Sequence, residues 1–372
     1  MPQIYFDNAA TTALDEEVKT SMIQAMDVFG NPSSVHALGR KTKGLIEGER
    51  RKIADFFHCE PKEIVFTSGG TEADNLAILG VVGSGKIKTI ISSEIEHPAV
   101  IASIRKAEQL YGVQVKWVNL LARGEIDFDN LQSLLEDSEN ALVSLMHVNN
   151  ELGNILDLER TIDLCKEHNA LLHTDTVQSV GHLDLDLSKL KVDLMTCSGH
   201  KIHGPKGTGF LFVRSGTPIQ ALMNGGKQER EIRGGTENFI GIMGFAKALE
   251  LTFRDFEKRN DQVLELKKYF KEQLEQKITG VRFNGLSGDL ERSVNSVLSV
   301  NFPDHKQNEM LLFQLDLKGI MVSGGSACSS GSVGGSSILN HIGVTGASAR
   351  FSFCQYNTKE EIDTAIEAIL SN

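Results

Sequence analysis

Short apolar runs alternate with longer amphipathic ones along the first 213 residues of this chain, and no other feature narrows its fold as much. Apolar runs at 63–66, 89–93, 113–118, 141–147, 170–173, 194–197 and 209–213 have the length of strands. Between them, 71–79 carries Ala73, Leu76, Ala77 and Leu79. The segment 98–110 opens with Pro98 and spaces Val100, Ile101, Ile104 and Ala107 on one face, and 158–168 holds Ile162, Leu164 and Cys165. A proline at the entry followed by helical spacing predicts a helix. Strands alternating with helices predict an α/β fold whose mostly parallel seven-stranded sheet is flanked by helices on both faces.

Beyond Val213 the pattern changes. A glycine-rich stretch, Met223-Asn224-Gly225-Gly226-Lys227, leads to Arg233-Gly234-Gly235-Thr236-Glu237-Asn238. Helical patterns at 239–256 and 261–276 precede a strand pattern at 296–302, a helix at 308–315, a strand at 320–322 and a closing helix at 359–370. This predicts a large domain over 15–255 and a smaller α+β domain over 256–372. The first segment, 1–14, has no partner of its own and is expected to pack on the smaller domain. The stretch 323–337 is rich in glycine and serine and is expected to be a mobile loop.

Composition removes several function classes. With 372 residues, 40% hydrophobic and 23% charged, the chain is neither disordered nor fibrous, and its length suits two or three domains of about 150 residues. No run reaches the roughly 18 apolar residues of a membrane span. The first residues, Met1-Pro2-Gln3-Ile4-Tyr5-Phe6-Asp7, have neither the basic nor the apolar run of a signal peptide, which predicts a cytoplasmic protein. A net charge of −11 disfavours nucleic acid as a direct partner. Five cysteines without a C-x-x-C pair predict neither a disulfide framework nor zinc. Cys59, Cys165 and Cys197 lie in or beside apolar segments and read as small buried hydrophobes.

Candidate chemistry gathers just after the strands. In Phe66-Thr67-Ser68-Gly69-Gly70-Thr71-Glu72-Ala73 a strand turns on two glycines into a helix, and a helix start suits a phosphate. Thr71 acting only as an N-cap is the plainer alternative. Gly80-Val81-Val82-Gly83-Ser84-Gly85-Lys86-Ile87 nearly matches a P-loop, but it follows a helix and has Ile87 where a hydroxyl is needed. Lys201, in Cys197-Ser198-Gly199-His200-Lys201, has hydroxyl and imidazole donors beside it, as Schiff-base chemistry needs; a surface lysine is the alternative. His200 and His203 lack a third ligand and carboxylate support, so no metal is expected. Asp175, after 170–173, suits a pyridinium nitrogen or a helix cap. His97 precedes a helix start, where an imidazole can stack on a flat ring and move protons. Asn149-Asn150-Glu151 follows another strand. Cys328 stands in the glycine-serine loop with only Ala327 as an apolar neighbour, and its thiolate would be a usable nucleophile near neutral pH. Arg350, in Ala349-Arg350-Phe351-Ser352-Phe353, can clamp a carboxylate or lie on the surface.

These residues carry a resemblance that runs nearly end to end. Tyr5-Phe6-Asp7-Asn8-Ala9-Ala10-Thr11-Thr12, Gly30-Asn31-Pro32-Ser33-Ser34, Thr67-Ser68-Gly69-Gly70-Thr71-Glu72, Met146-His147-Val148-Asn149-Asn150-Glu151, Ser198-Gly199-His200-Lys201 and Ser326-Ala327-Cys328 resemble the NifS/IscS-type cysteine desulfurases. These belong to the class V aminotransferase family of fold-type I pyridoxal-phosphate transferases. The resemblance implies pyridoxal 5'-phosphate bound covalently at Lys201, with Asp175 at the ring nitrogen and Gln178 at the ring hydroxyl. His97 would be the stacking acid/base. Gly70, Thr71, Ser198 and His200 would hold the phosphate, and Thr236 would complete that cradle in the partner of a homodimer. Asn150 and Arg350 would meet the substrate carboxylate. The implied substrate is L-cysteine, desulfurated to L-alanine with a persulfide on Cys328. That sulfur would pass to an acceptor or scaffold protein for iron–sulfur cluster assembly or tRNA thiolation. A selenocysteine lyase or another class V enzyme is the alternative. The chain departs from the pattern in a shorter stretch from Cys328 to Arg350, in Gly334-Gly335-Ser336 where Glu-Pro-Ser is expected, and in Phe353-Cys354-Gln355 where a Gly-Arg pair is common.

Overall fold

A computed structural model describes residues 3–302, 308–324 and 336–371. The strands, in chain order, are β1 (Ile4–Tyr5), β2 (Ile64–Thr67), β3 (Thr89–Ser92), β4 (Gln114–Trp117), β5 (Ala141–Ser144), β6 (Leu171–Asp175), β7 (Leu194–Ser198), β8 (Gly209–Val213), β9 (Arg282–Phe283), β10 (Val297–Phe302), β11 (Ile320–Met321) and β12 (Ala347–Ser352). The helices are α1 (Glu16–Ala25), α2 (Ala37–Phe56), α3 (Gly70–Gly83), α4 (Pro98–Tyr111), α5 (Phe128–Glu136), α6 (Leu158–Glu167), α7 (Phe239–Arg254), α8 (Phe256–Lys277), α9 (Asn308–Leu317), α10 (Ser337–His341) and α11 (Lys359–Leu370). Among the described residues no helix is long and apolar enough to cross a membrane.

The large sheet has seven strands in the order β2-β8-β7-β6-β5-β3-β4. Only β8 runs against its neighbours, so β2 through β7 all present their C-terminal ends at one edge. Both faces are covered, and successive residues of one strand enter different cores. Val65, Ile90, Leu142, Leu194 and Leu211 join α3 and α4 in one layer. Phe66, Ile91, Val143, Met195 and Phe210 join α1, α2, α5, α6 and α7 in the other. This is why β2, β3, β5, β7 and β8 are buried along their whole length, whereas β4, at the sheet's end, is only half-buried.

A second core gathers the elements after Asp255, with α8, α9 and α11 around the antiparallel sheet β12-β10-β9. In the first segment β1 pairs in parallel with β11, and the Phe6 ring meets Phe353 at 5.5 Å. Phe270 packs edge-on against Phe351 at 4.7 Å. Each such fully buried phenylalanine is stabilising by about 1.5–3 kcal/mol.

The glycine-serine stretch 323–337 begins and ends in ordered contacts. Ser323 pairs with Arg350 across a bridge, and the Ser336 hydroxyl donates to Glu151 and caps α10. Residues 325–335, Cys328 among them, lie outside the described residues.

Candidate active site

The site follows from strand direction. At the shared C-terminal edge, β2 passes through Gly69 into α3. The Gly69 φ of 139° lies in a region that glycine alone enters without strain. A Cβ on Gly209 of β8 would lie 2.3 Å from the Cys197 carbonyl and 3.0 Å from the Gly69 Cα, so a glycine there lets the turn close down on the sheet. The first N–H groups of α3, from Gly70 and Thr71, have no acceptor within the helix, and both residues line the pocket at the helix's positive dipole end. The structure makes Gly69, and not Thr71, the capping residue.

Gly70, Thr71, His97, Asn150, Asp175, Gln178, Ser198, His200, Lys201 and Arg350 line one cavity of about 280 Å³. They come from five strand ends of the large sheet and from β12 of the smaller one. Among the site residues expected from sequence, two are not placed there. Cys328 lies outside the described residues. Thr236 is exposed and does not line the cavity of its own chain.

Lys201 closes the one-turn helix after β7, and its Nζ donates to the carbonyls of Ala9 at 2.6 Å and Ala10 at 2.7 Å. Gln178 Nε2 donates to Ala9 O at 2.9 Å, and His200 Nδ1 meets Thr11 Oγ1 at 3.1 Å. Residues 9–11 therefore strap the lysine turn in place.

Asp175, buried at the end of β6, accepts from Val177 N at 2.8 Å. Burial raises its pKa, while His97 and Lys201 draw it back down. His97 caps α4, its Nδ1 accepting from Ala99 N at 3.1 Å. That bond leaves Nε2 as the nitrogen able to exchange a proton. Burial and the Lys201 charge lower the His97 pKa, and burial lowers His200 to about 4, so its imidazole is neutral near pH 7. Arg350, 3% exposed, gives Nη1 to Asn150 O and Nη2 to Asp7, both at 2.8 Å. Its Nε and the Asn150 Oδ1 are buried without a partner among the described residues. Nε and the second N–H of each Nη are the donors left for a carboxylate. Burial pushes the thiols of Cys59 and Cys165 up to about 12 and that of Cys354 to about 11, which suits packing and not nucleophilic work.

Sequence reasoning missed Asp74, which also lines the cavity. The available signal was a lone aspartate among Ala73, Leu76, Ala77 and Leu79. It also missed the Ala9 and Ala10 carbonyls, which are backbone groups and leave no side-chain signal. The pair of Arg233 with Glu72 was missed too, with Nε to Oε1 at 2.8 Å; it ties the segment before Thr236 to the start of α3.

The profile of the family described as Aminotransferase class-V matches residues 4–364. This chain belongs to that family. Two class-V relatives are named cysteine desulfurase IscS. That of Dictyoglomus turgidum is 40% identical over 99% of this chain and 93% of its own length. That of Methanosarcina thermophila is 40% identical over 98% and 91%. Among solved structures, a NifS-like protein superposes with a TM-score of 0.91 at 34% identity, covering 100% of this chain and 99% of its own. One described as SspA in complex with cysteine has a TM-score of 0.82 at 30% identity, covering 95% and 100%. The α/β architecture with its mostly parallel seven-stranded sheet is thus that of NifS-like class-V enzymes.

Proposed function

We propose that this class-V chain is a pyridoxal-phosphate-dependent cysteine desulfurase that takes sulfur from L-cysteine and releases L-alanine. The observation that carries this reading is the convergence of Lys201, Asp175 and His97 on a cavity that Gly70 and Thr71, the first residues of α3, also line. The names of the relatives agree with it.

The residues present fit the cofactor. The start of α3 with Ser198 and His200 offers donors to a phosphate, and a Cβ at Gly70 would crowd Val177 Cγ2 at 3.0 Å and narrow that cradle. Asp175 would face the ring nitrogen, Gln178 the ring hydroxyl, and Lys201 would hold the ring covalently. When bound, pyridoxal phosphate supplies an electron sink for cleavage at an amino acid's carbons.

The chain's own groups do the rest. Arg350 and Asn150 hold the substrate carboxylate. His97, with Nε2 available, moves protons. Lys201 returns a proton once its amine is released. The Cys328 thiolate takes the substrate sulfur, so that L-cysteine and one enzyme thiol become L-alanine and one enzyme persulfide. That role rests on the sequence Ser326-Ala327-Cys328. The persulfide then passes to a sulfur-acceptor or scaffold protein, for iron–sulfur cluster assembly or tRNA thiolation. The reading assigns 15–255 to cofactor binding, and 1–14 with 256–372 to a smaller domain carrying Cys328. It makes the protein a homodimer, with Thr236 serving the partner's phosphate site.

The test is an absorbance spectrum of the purified protein, followed by L-cysteine addition with sulfide and alanine assayed. A yellow protein that forms alanine without a keto acid is expected. Dependence on a keto acid would instead make it a transaminase, and turnover of selenocysteine alone a lyase. Borohydride reduction and peptide mapping should fix the cofactor on Lys201; another lysine would refute the assignment.

A further inference from the structure

Asp74 lies in the second turn of α3, beside the buried Ala73, Leu76 and Ala77, and is 1% exposed. It faces β6, where His173 and Asp175 are two residues apart and so share a face of the strand. Thr196 stands opposite Asp175 on β7.

The hydrogen bonds around Asp74 are few. Its Oδ1 has no partner among the described residues, and the neighbouring Thr196 hydroxyl only partly offsets the burial that raises its pKa. His173 Nε2 is 3.7 Å from Oδ1, too far for a hydrogen bond, and meets Thr196 Oγ1 at 3.1 Å. Its Nδ1 meets Ser144 Oγ at 2.9 Å, and burial lowers His173 to about 3, so no cation stands there. The titratable groups that act on Asp74 are Asp175 and, from the end of the β3 turn, Glu96. Glu96 is itself buried, with Oε1 accepting from Met146 N and Oε2 without a partner among the described residues.

Closely spaced carboxyls deep in a protein do not all ionise. Asp175 has the better claim to the charge, because Val177 N donates to it and Lys201 and His97 face it. We propose that Asp74 is a positioning residue that stays a neutral carboxylic acid, leaving Asp175 as the charged member of the pair at the floor of the cavity. Burial together with the neighbouring Asp175 raises its pKa in the same sense. The consequence rests on the cofactor reading: an ionised Asp74 would push a proton onto Asp175 and remove the charge that keeps the ring nitrogen protonated.

The test is infrared spectroscopy of the full chain freed of cofactor, at neutral pH, with and without heavy-carbon aspartate. A protonated-carboxyl band that shifts with the label is expected. It should be lost in Asp74→Asn, or in Asp74→Ser should the first variant not fold, and kept in Asp175→Asn. No labelled band, or one that survives at position 74 and vanishes at 175, would overturn the proposal. Cofactor binding is read separately, by absorbance of the parent protein with added pyridoxal phosphate. Its absence would sink the cofactor reading and leave the proton assignment standing.

Discussion

Arg350 Nη2 donates to Asp7 Oδ1 at 2.8 Å, so the last strand and the first segment of the chain hold each other at the wall of the cavity. The arginine is nearly buried and the aspartate one-fifth exposed. With Nη1 on the Asn150 carbonyl, the guanidinium plane is set before any substrate arrives.

Loss of that setting should appear in substrate binding. Asp7→Asn keeps the shape but removes the charge, and should raise KM for L-cysteine about tenfold, some 1.4 kcal/mol. Arg350→Lys cannot reproduce the planar fork and should raise it about a hundredfold. In both, kcat should change less. Steady-state sulfide production reads the two constants, and an unmoved KM in Arg350→Lys would remove the arginine from substrate recognition.

Stability should depend strongly on Glu229. Its carboxylate receives Arg50 Nη1 and Nη2, each at 2.7 Å, and Phe66 N at 2.9 Å, with both side chains about 2% exposed. Removing Glu229 leaves the buried Arg50 with only the partly exposed Glu47, 3.1 Å away, as a counter-charge, so Glu229→Gln should cost up to about 3 kcal/mol in urea unfolding. A loss below 1 kcal/mol would show that water or another group replaces the pair.

Acid should weaken the fold through its buried imidazoles. Burial lowers His147 and His182 to about 4 and His173 to about 3. Below the ordinary histidine value near 6.5, the unfolded chain takes protons that the folded chain refuses. Each contribution is whole above that value and falls by about 1.4 kcal/mol per pH unit as pH drops toward the folded value. Asp74 and Glu96 act in the opposite sense, losing stability as pH rises above the ordinary carboxylate range. His173→Asn should therefore bind about one proton fewer on unfolding near pH 5, measured from urea midpoints across pH. An unchanged slope would mean that His173 is charged when folded.

Thr236 supplies a prediction about assembly. It is exposed and away from its own cavity, although Arg233 is tied to Glu72 at the start of α3. Thr236→Ala should weaken pyridoxal-phosphate binding about tenfold while leaving a dimer intact. Sedimentation together with cofactor titration checks both, and a cofactor-loaded, active monomer would contradict the shared site.

The amino-acid sequence by itself determined the local elements and the candidate chemistry. Strand β8 occupies the very residues 209–213 that its apolar run predicts, and α4 begins at Pro98 as expected. These were legible because a short buried strand and an amphipathic helix write their burial into neighbouring residues. Helix α2 was not, because its charged pattern hides Arg50, whose burial becomes tolerable only with Glu229, 179 residues away. The tertiary structure alone decided that β8 inserts antiparallel between β2 and β7, that residues 9–11 brace the Lys201 turn, and that Asp74 shares a floor with Asp175. Each is a contact between groups far apart in the chain. Such contacts are set by strand pairing and by the filling of buried space, which a local pattern of apolar and polar residues does not record.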